Sequence, residues 1–409
     1  MARTLRSWLP VPPAAAVVLA CLLTIGAGYL LKARCPAQDS GSYPPLCYTD
    51  VTALYASRSL DAGVVPYLDF PADGAFGDPG FLEYPVATGA VIWAATGTAD
   101  SAAGYLNVNA IILGSVALVG AALLARRAVW TAMRWAAAPL LALYAFHNWD
   151  LLAVGCAIAG CIAQGKGRAG WAGFWFGVGA AAKLYPIFFL VALVLDRLWD
   201  RDRRAAARAA GAGMVAVAIP NLAVAIANPD GWWATYAFHS NRGADIGSLW
   251  SVVGLGGASA TALNLASGVA MLGTGGLVLA VGWWRARRES KYPFLAVGSA
   301  LVVVFLVWSK VASPQYVLWL LPSLVLLRIG LRWWLGWNAV AVAVYLASFG
   351  VGLPGYGIDM AAIGITAAAA VRTVALVGLG IAVLWASPTA ALARARAGST
   401  LLERVEPQR

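Results

Sequence analysis

The chain has 409 residues, 61% of them hydrophobic and only 11% charged, with a mean hydropathy of +0.74. A soluble domain carries roughly 25% charged residues, so a water-soluble globular enzyme is excluded and an all-α polytopic membrane protein is indicated. The net charge of +11 would also suit a nucleic-acid binder, but Arg and Lys gather between apolar runs as the positive-inside rule requires, so no nucleic acid is expected as a partner.

Residues 14–31 are long for a signal-peptide core, and no small-x-small cleavage site follows, so they read as a first spanning helix. The basic clusters are Arg3 and Arg6; Arg126, Arg127 and Arg134; Lys166 and Arg168; Arg197 to Arg208; Arg285 to Lys291; Arg328 and Arg332; and Arg394 and Arg396. If all face the cytoplasm, the chain between any two of them crosses the bilayer an even number of times. The run 84–97 is too short for an ordinary span and is read as an outer re-entrant or juxtamembrane helix within an extracytoplasmic loop, 32–103. Spans then follow at 104–125, 135–146, 151–164, 170–182, 187–196 and 209–227. After an outer loop at 228–258 come 259–283, 293–309, 315–327, 335–350 and 360–386, with 387–409 as a cytoplasmic tail. This gives about twelve transmembrane helices in a single membrane domain of the plasma (inner) membrane, with both termini cytoplasmic. Arg372, inside the last span, has no account at this level.

On this threading the polar residues collect on one side. The stretch 32–84 carries Asp39, Asp50, Asp61, Asp69, Asp73, Asp78 and Glu83 against Lys32, Arg34 and Arg58, the reverse of the cytoplasmic loops. Cys35 and Cys47 flank a polar loop and could pair if it faces an oxidising compartment. Asp50 opens DVTALYASRSL, where Val51, Leu54 and Tyr55 fit a short amphipathic helix. It reads as the cap of that helix and, compatibly, as a carboxylate fixed at the headgroup level, where it could take a proton from a sugar hydroxyl. The Gly- and Pro-rich stretch 63–85 reads as an ordered loop in which Asp73 and Asp78 are solvated and Glu83 is placed for a buried contact. His147, Asn148, Trp149 and Asp150 form a turn between spans that is either a site wall or a helix cap. Lys183 and Lys310 interrupt apolar runs, so each must snorkel to the interface or hold an anion. Gln315 and Tyr316 follow the helix-starting Pro314. His239 and Arg242, among aromatics, are candidate phosphate contacts. The chain shows no P-loop, zinc, haem, nucleophile-elbow or dinucleotide motif, and has only two histidines.

The motifs Tyr48-Thr49-Asp50, Pro66-Tyr67-Leu68-Asp69, Glu83-Tyr84-Pro85, Asn148-Trp149-Asp150, Ala182-Lys183-Leu184-Tyr185-Pro186 and Ser313-Pro314-Gln315-Tyr316 run in order from residue 48 to residue 316. Together they resemble the multispanning GT-C glycosyltransferases. The likeness is greatest to the bacterial family 87 group, which includes actinobacterial polyprenyl-phosphate-mannose-dependent mannosyltransferases. The alanine- and arginine-rich composition also fits a high-GC actinobacterium. The resemblance implies an inverting hexosyl transfer, with mannose expected, from a polyprenyl-phosphate donor to a lipid-linked or cell-envelope glycan. It makes Asp50 the general base, and Lys183, His239, Arg242 and Lys310 the cations on the donor phosphate. Tyr48, Asp69, Glu83, Tyr84, His147, Asn148, Asp150, Tyr185, Gln315 and Tyr316 become substrate contacts. Asp50 and Asp69 are far apart in sequence, so no metal is expected, and no cofactor. Two other readings use the same residues: a transporter or flippase of a lipid-linked sugar or small solute, which needs essential ionisable groups at mid-membrane, and a non-catalytic subunit, in which Asp50 is dispensable.

Overall fold

The computed structural model describes residues 13–35, 44–389 and 392. Arg3, Arg6, Asp39 and the basic tail with Arg394 and Arg396 lie outside the described residues. These contain seventeen α-helices and no strand beyond an isolated bridge between Leu327 and Pro388. Five helices are long and apolar enough to cross a bilayer: α1 (Ala14–Ala33), α4 (Ala102–Ala125), α10 (Arg203–Ala227), α13 (Ala260–Glu289) and α17 (Ile358–Trp385). Their outward faces present residues such as Leu23, Ile226, Leu272 and Val374, each more than half exposed, which only a lipid solvent tolerates in such density. The chain is thus built as an integral membrane protein.

The other helices are shorter. They are α2 (Asp50–Ser57), α3 (Val86–Ala94), α5 (Val129–Ala136), α6 (Pro139–Tyr144), α7 (Asp150–Gly165), α8 (Ala169–Ala182), α9 (Ile187–Trp199), α11 (Pro229–Asn241), α12 (Leu249–Val252), α14 (Phe294–Trp308), α15 (Leu321–Leu326) and α16 (Leu331–Phe349). Two expected spans are each broken in two. The run 135–146 splits into α5 and α6, with Pro139 opening α6. The run 315–327 splits into a 3₁₀ segment, Pro314–Leu320, and α15, with Pro322 at the joint. Proline explains both breaks, since it cannot donate to the preceding turn. The run 84–97 is helical, as α3 and a 3₁₀ turn at Ala95–Thr98. The segment 228–258, expected to be a loop, folds as α11 and α12. Asn228 caps α11 by accepting the Gly231 N–H, and Pro229 sits at its first position. That pairing is a helix-start signal. It lay in the sequence, hidden by the polar composition around it.

Helix α1 packs on α4, α5 and α6; α7 lies between α4 and α8; α9 joins α10 to α14; and α17 closes against α14 and α16. The tightest seam is α8 on α10. A Cβ on Gly173 would sit 2.0 Å from the Ala209 carbonyl oxygen, and one on Gly177 2.3 Å from that of Gly213. Glycines four apart let two backbones approach where lipid offers no hydrophobic drive to association. The broken ends of this scaffold meet at one place, where the start of α2, the α6–α7 turn, the α8–α9 turn and the 3₁₀ segment converge.

Candidate functional site

The approach to Asp50 is tied down residue by residue. Cys35 and Cys47 form a disulfide. The Lys32 ammonium, buried at the end of α1, donates to the Leu46 and Tyr48 carbonyls and to the Tyr345 hydroxyl, at 3.5, 2.5 and 2.8 Å. Tyr48 stacks on Phe349 with centroids 5.6 Å apart. Thr49, not Asp50, is the cap of α2: its hydroxyl accepts the Val51 N–H and donates to the Phe146 and His147 carbonyls. Asp50 is the first helical residue, and its own N–H goes to the His147 carbonyl at 2.8 Å. Val51, Leu54 and Tyr55 form the buried face of α2, as the period predicts.

With the cap supplied by Thr49, the Asp50 carboxylate is free for another task. Its Oδ2 accepts the Tyr84 hydroxyl at 2.5 Å. Burial on this side pushes Asp50 above the usual carboxylate range, against the opposing effects of hydrogen bonds from Tyr84 and Tyr48 and the charge of Lys183. The Tyr84 ring meets Trp149 edge-on, and the Lys183 ammonium lies 4.8 Å from its centroid and 5.5 Å from that of Tyr316. Lys183 neither snorkels nor stands free. It pairs with Asp150 at 3.0 Å, so that although burial works to lower it, the Asp150 charge leaves it above its ordinary value. Asp150 does not cap α7 either. The Asn148 side chain accepts the Asp150 N–H, and the Asp150 carboxylate takes Lys183 and the Trp319 indole N–H at 2.7 Å. Trp319 is the middle ring of a stack between Tyr185, at 4.7 Å, and Tyr316, at 4.1 Å.

Thus Tyr48, Asp50, Tyr84, His147, Asn148, Asp150, Lys183, Tyr185 and Tyr316 fall into one cluster drawn from five chain segments. Several buried polar atoms there have no protein partner: His147 Nδ1, Asn148 Nδ2, the Tyr185 hydroxyl and, beside Tyr316, Gln315 Oε1. Buried donors and acceptors are almost always satisfied, so such a grouping marks where a polar ligand or water belongs.

The remaining candidates lie further out. The Glu83 carboxylate turns away to a two-point contact with Arg58, at 2.9 and 3.0 Å, while its carbonyl meets His239 Nε2 at 2.9 Å. Burial lowers His239, and the Lys183 and Arg242 charges add to this against its bond to Glu83. Arg242 pairs with Asp245 at 2.6 Å. Lys310 donates to the Ser240 and Arg242 carbonyls at 2.9 and 2.7 Å. Asp69 is exposed and accepts the Val65 N–H of its own turn, which removes it from the cluster. Sequence reasoning gave no role to Lys32 or Trp319, and named Thr49 and Trp149 only as members of motifs. The two tryptophans carried a usable signal: a buried indole N–H needs an acceptor, and Asn109 and Asp150 provide them.

The model of glycosyltransferase family 87 matches residues 80–314, more than half of the chain, and takes in Tyr84, Asp150 and Lys183 but begins after Asp50. Comparison with curated proteins and with solved structures returned no match. By this match the chain belongs to glycosyltransferase family 87, and it is a membrane glycosyltransferase.

Proposed function

We propose that this enzyme moves a sugar, mannose in the first instance, from a polyprenyl-phosphate carrier to a lipid-linked or cell-envelope glycan on the extracytoplasmic side, with inversion and with Asp50 as general base. The acceptor hydroxyl oxygen attacks the anomeric carbon, the bond from that carbon to the phosphate oxygen breaks, and polyprenyl phosphate leaves with the electron pair. The hydroxyl proton passes to Asp50. A phosphate leaves well without protonation, so the protein's part is to meet its charge. Lys183 is assigned to this, with His239, Arg242 and Lys310 on the approach. Twelve spans, with both termini cytoplasmic, complete the reading.

The observation that carries it is the Asp50 carboxylate, relieved of capping by Thr49 and oriented by Tyr84, with the Asp150–Lys183 pair behind the same tyrosine ring. A base whose charged form is disfavoured by burial holds a proton more strongly than an exposed aspartate, which suits proton abstraction from a hydroxyl. In the stack of Tyr185, Trp319 and Tyr316 the first two rings are buried, and the half-buried Tyr316 is the one available to a sugar. The test is transfer of labelled mannose from polyprenyl-phosphate mannose to a membrane lipid extract by the purified enzyme, wild type beside Asp50→Asn and Asp50→Ala. Both variants should lose transfer, by about 10²-fold or more. Retention of wild-type rates would remove Asp50 as the base, and release of the intact lipid-linked sugar across vesicles without bond formation would favour transport instead.

A further inference from the structure

Arg372 stands at the middle of α17, a 28-residue helix that carries no other charged residue after Asp359 in its first turn. An arginine at that depth is costly unless it faces the protein interior and meets a partner, and such residues mark functional pathways. It is buried, at 6% exposure, and donates to two backbone carbonyls, Ala312 at 3.0 Å and Gly247 at 2.6 Å. Those bonds fasten the 245–247 and 312–314 segments to α17, but a carbonyl does not neutralise a guanidinium. Among the described residues Arg372 makes no ion pair. Asp245, the nearest acid, is already paired with Arg242 and accepts the Ala312 N–H at 2.9 Å. Lys310, which donates to the Ser240 and Arg242 carbonyls at the end of α11, adds a second cation that pairs with no carboxylate among the described residues. The neighbourhood therefore holds Arg242, Lys310 and Arg372 against Asp245.

Beside Arg372 lies a cavity of about 270 Å³ between α16 and α17, closed by these segments. Ile365, Ala368, Ala369 and Arg372 supply one face of α17 to it, Val344 and Ser348 the facing side of α16, and Ser313 a hydroxyl. None of Asp50, Tyr84, Asp150 or Lys183 lines it. Its walls are mostly small or apolar, and its polar groups are Arg372, the Ser313 and Ser348 hydroxyls and the Asp245 carboxylate, which Arg242 already pairs; the helices that form it carry exposed Val371, Val374 and Leu346 on their other faces. That combination matches an amphiphile with an anionic head.

We propose that this cavity is a second binding site, for a phosphate-bearing lipid headgroup, with Arg372 as its anion contact. The site does not depend on the transfer reading, and its test involves no transfer. Full-length protein in a neutral maltoside detergent is titrated with dodecyl phosphate, and occupancy is read by native mass spectrometry. The wild type should take up one dodecyl phosphate saturably, and Arg372→Gln should bind it at least tenfold more weakly. Ala368→Leu, which fills the cavity but leaves the bonds from Arg372 to Gly247 and Ala312 in place, should lose binding equally. It decides the matter if Arg372→Gln does not fold. Competition separates the sources: displacement by phosphatidylglycerol identifies a bilayer diester, and resistance to it identifies a monoester such as a spent carrier. Equal binding by all three proteins, no uptake by the wild type, or displacement by inorganic phosphate as effective as by the amphiphile would each overturn the proposal.

Discussion

The Asp150–Lys183 pair offers the sharpest test of how the site is held. The Asp150 side chain is 1% exposed and that of Lys183 16%, so water screens the pair little. Removing one partner of a buried pair leaves an uncompensated charge and costs about 3–5 kcal/mol, whereas replacing both by neutral groups of similar shape is close to neutral. Asp150→Asn keeps an acceptor for the Trp319 indole but strands Lys183, which retains the more distant Asp50 charge and the faces of Tyr84 and Tyr316, each face worth about 0.5–2 kcal/mol. The expected loss is therefore at the lower end, about 3 kcal/mol. Lys183→Met strands Asp150 with one hydrogen bond from Trp319 and should cost at least as much. The double variant should lose no more than about 1 kcal/mol, so the two single losses of about 3 kcal/mol each give a coupling energy of about 5 kcal/mol in the cycle. Unfolding free energies from sodium dodecyl sulfate titration in mixed micelles measure all four proteins. Two small losses, below about 1 kcal/mol, that simply add would refute the reasoning. The double variant also separates structure from chemistry: if Lys183 meets the leaving phosphate, that protein is stable and still inactive.

Other expectations follow from the same geometry. Because burial raises Asp50, its stabilising contribution is present at acid pH and lost as pH rises through its folded value; at neutral pH Asp50→Asn should therefore stabilise the fold, by about 0.5–2 kcal/mol, while abolishing transfer. For the wild type, kcat/KM should fall on the acid side at a pH above the usual carboxylate range. Tyr84→Phe removes a hydrogen bond that favours the charged form, so this acid limb should move to higher pH; a limb that moves down or stays would contradict the assigned contact. Cys35→Ser with Cys47→Ser opens a crosslink of sequence separation 12, for which loop-closure entropy predicts a loss of about 3 kcal/mol in mixed-micelle unfolding. Gly173→Val should separate α8 from α10 and lower the thermal midpoint well beyond Gly211→Ala, whose added Cβ meets nothing within 4 Å.

What the sequence made legible was set by physics that acts locally. Apolar runs and basic clusters marked helices and their ends, because the bilayer imposes length and charge rules one segment at a time. The spacing of Val51, Leu54 and Tyr55 announced α2 in the same way. Pairings across the fold were not legible. Asp150 and Lys183 are separated by two helices, and Asp150 and Trp319 by 169 residues, so nothing local links them. Cap roles were blurred by one residue at α2 and by two at α7, where Thr49 and Asn148 accept the backbone N–H groups that Asp50 and Asp150 were offered. These small offsets free two carboxylates from capping. Arg372 had no reading in sequence because its partners are backbone carbonyls on distant loops, which no side-chain pattern reveals.

A base carried outside the long helices must be held as firmly as one built on them, since misplacement by about 1 Å can cost a hundredfold in rate. Asp50 gains that restraint through the backbone of residues 46–50 as well as through the Tyr84 hydroxyl on its carboxylate. Lys32 of α1 holds two carbonyls, Phe349 of α16 carries the Tyr48 ring, and the α6–α7 turn takes both the Thr49 hydroxyl and the Asp50 N–H. The same turn then continues into Asp150, which pairs with Lys183, so the base and the cation assigned to the leaving group are fixed to one short stretch of chain. This arrangement couples their separation to the packing of that turn. Loosening a tie such as Lys32→Met should accordingly lower kcat more than it raises KM, because the orientation of the base matters only once the hydroxyl attacks.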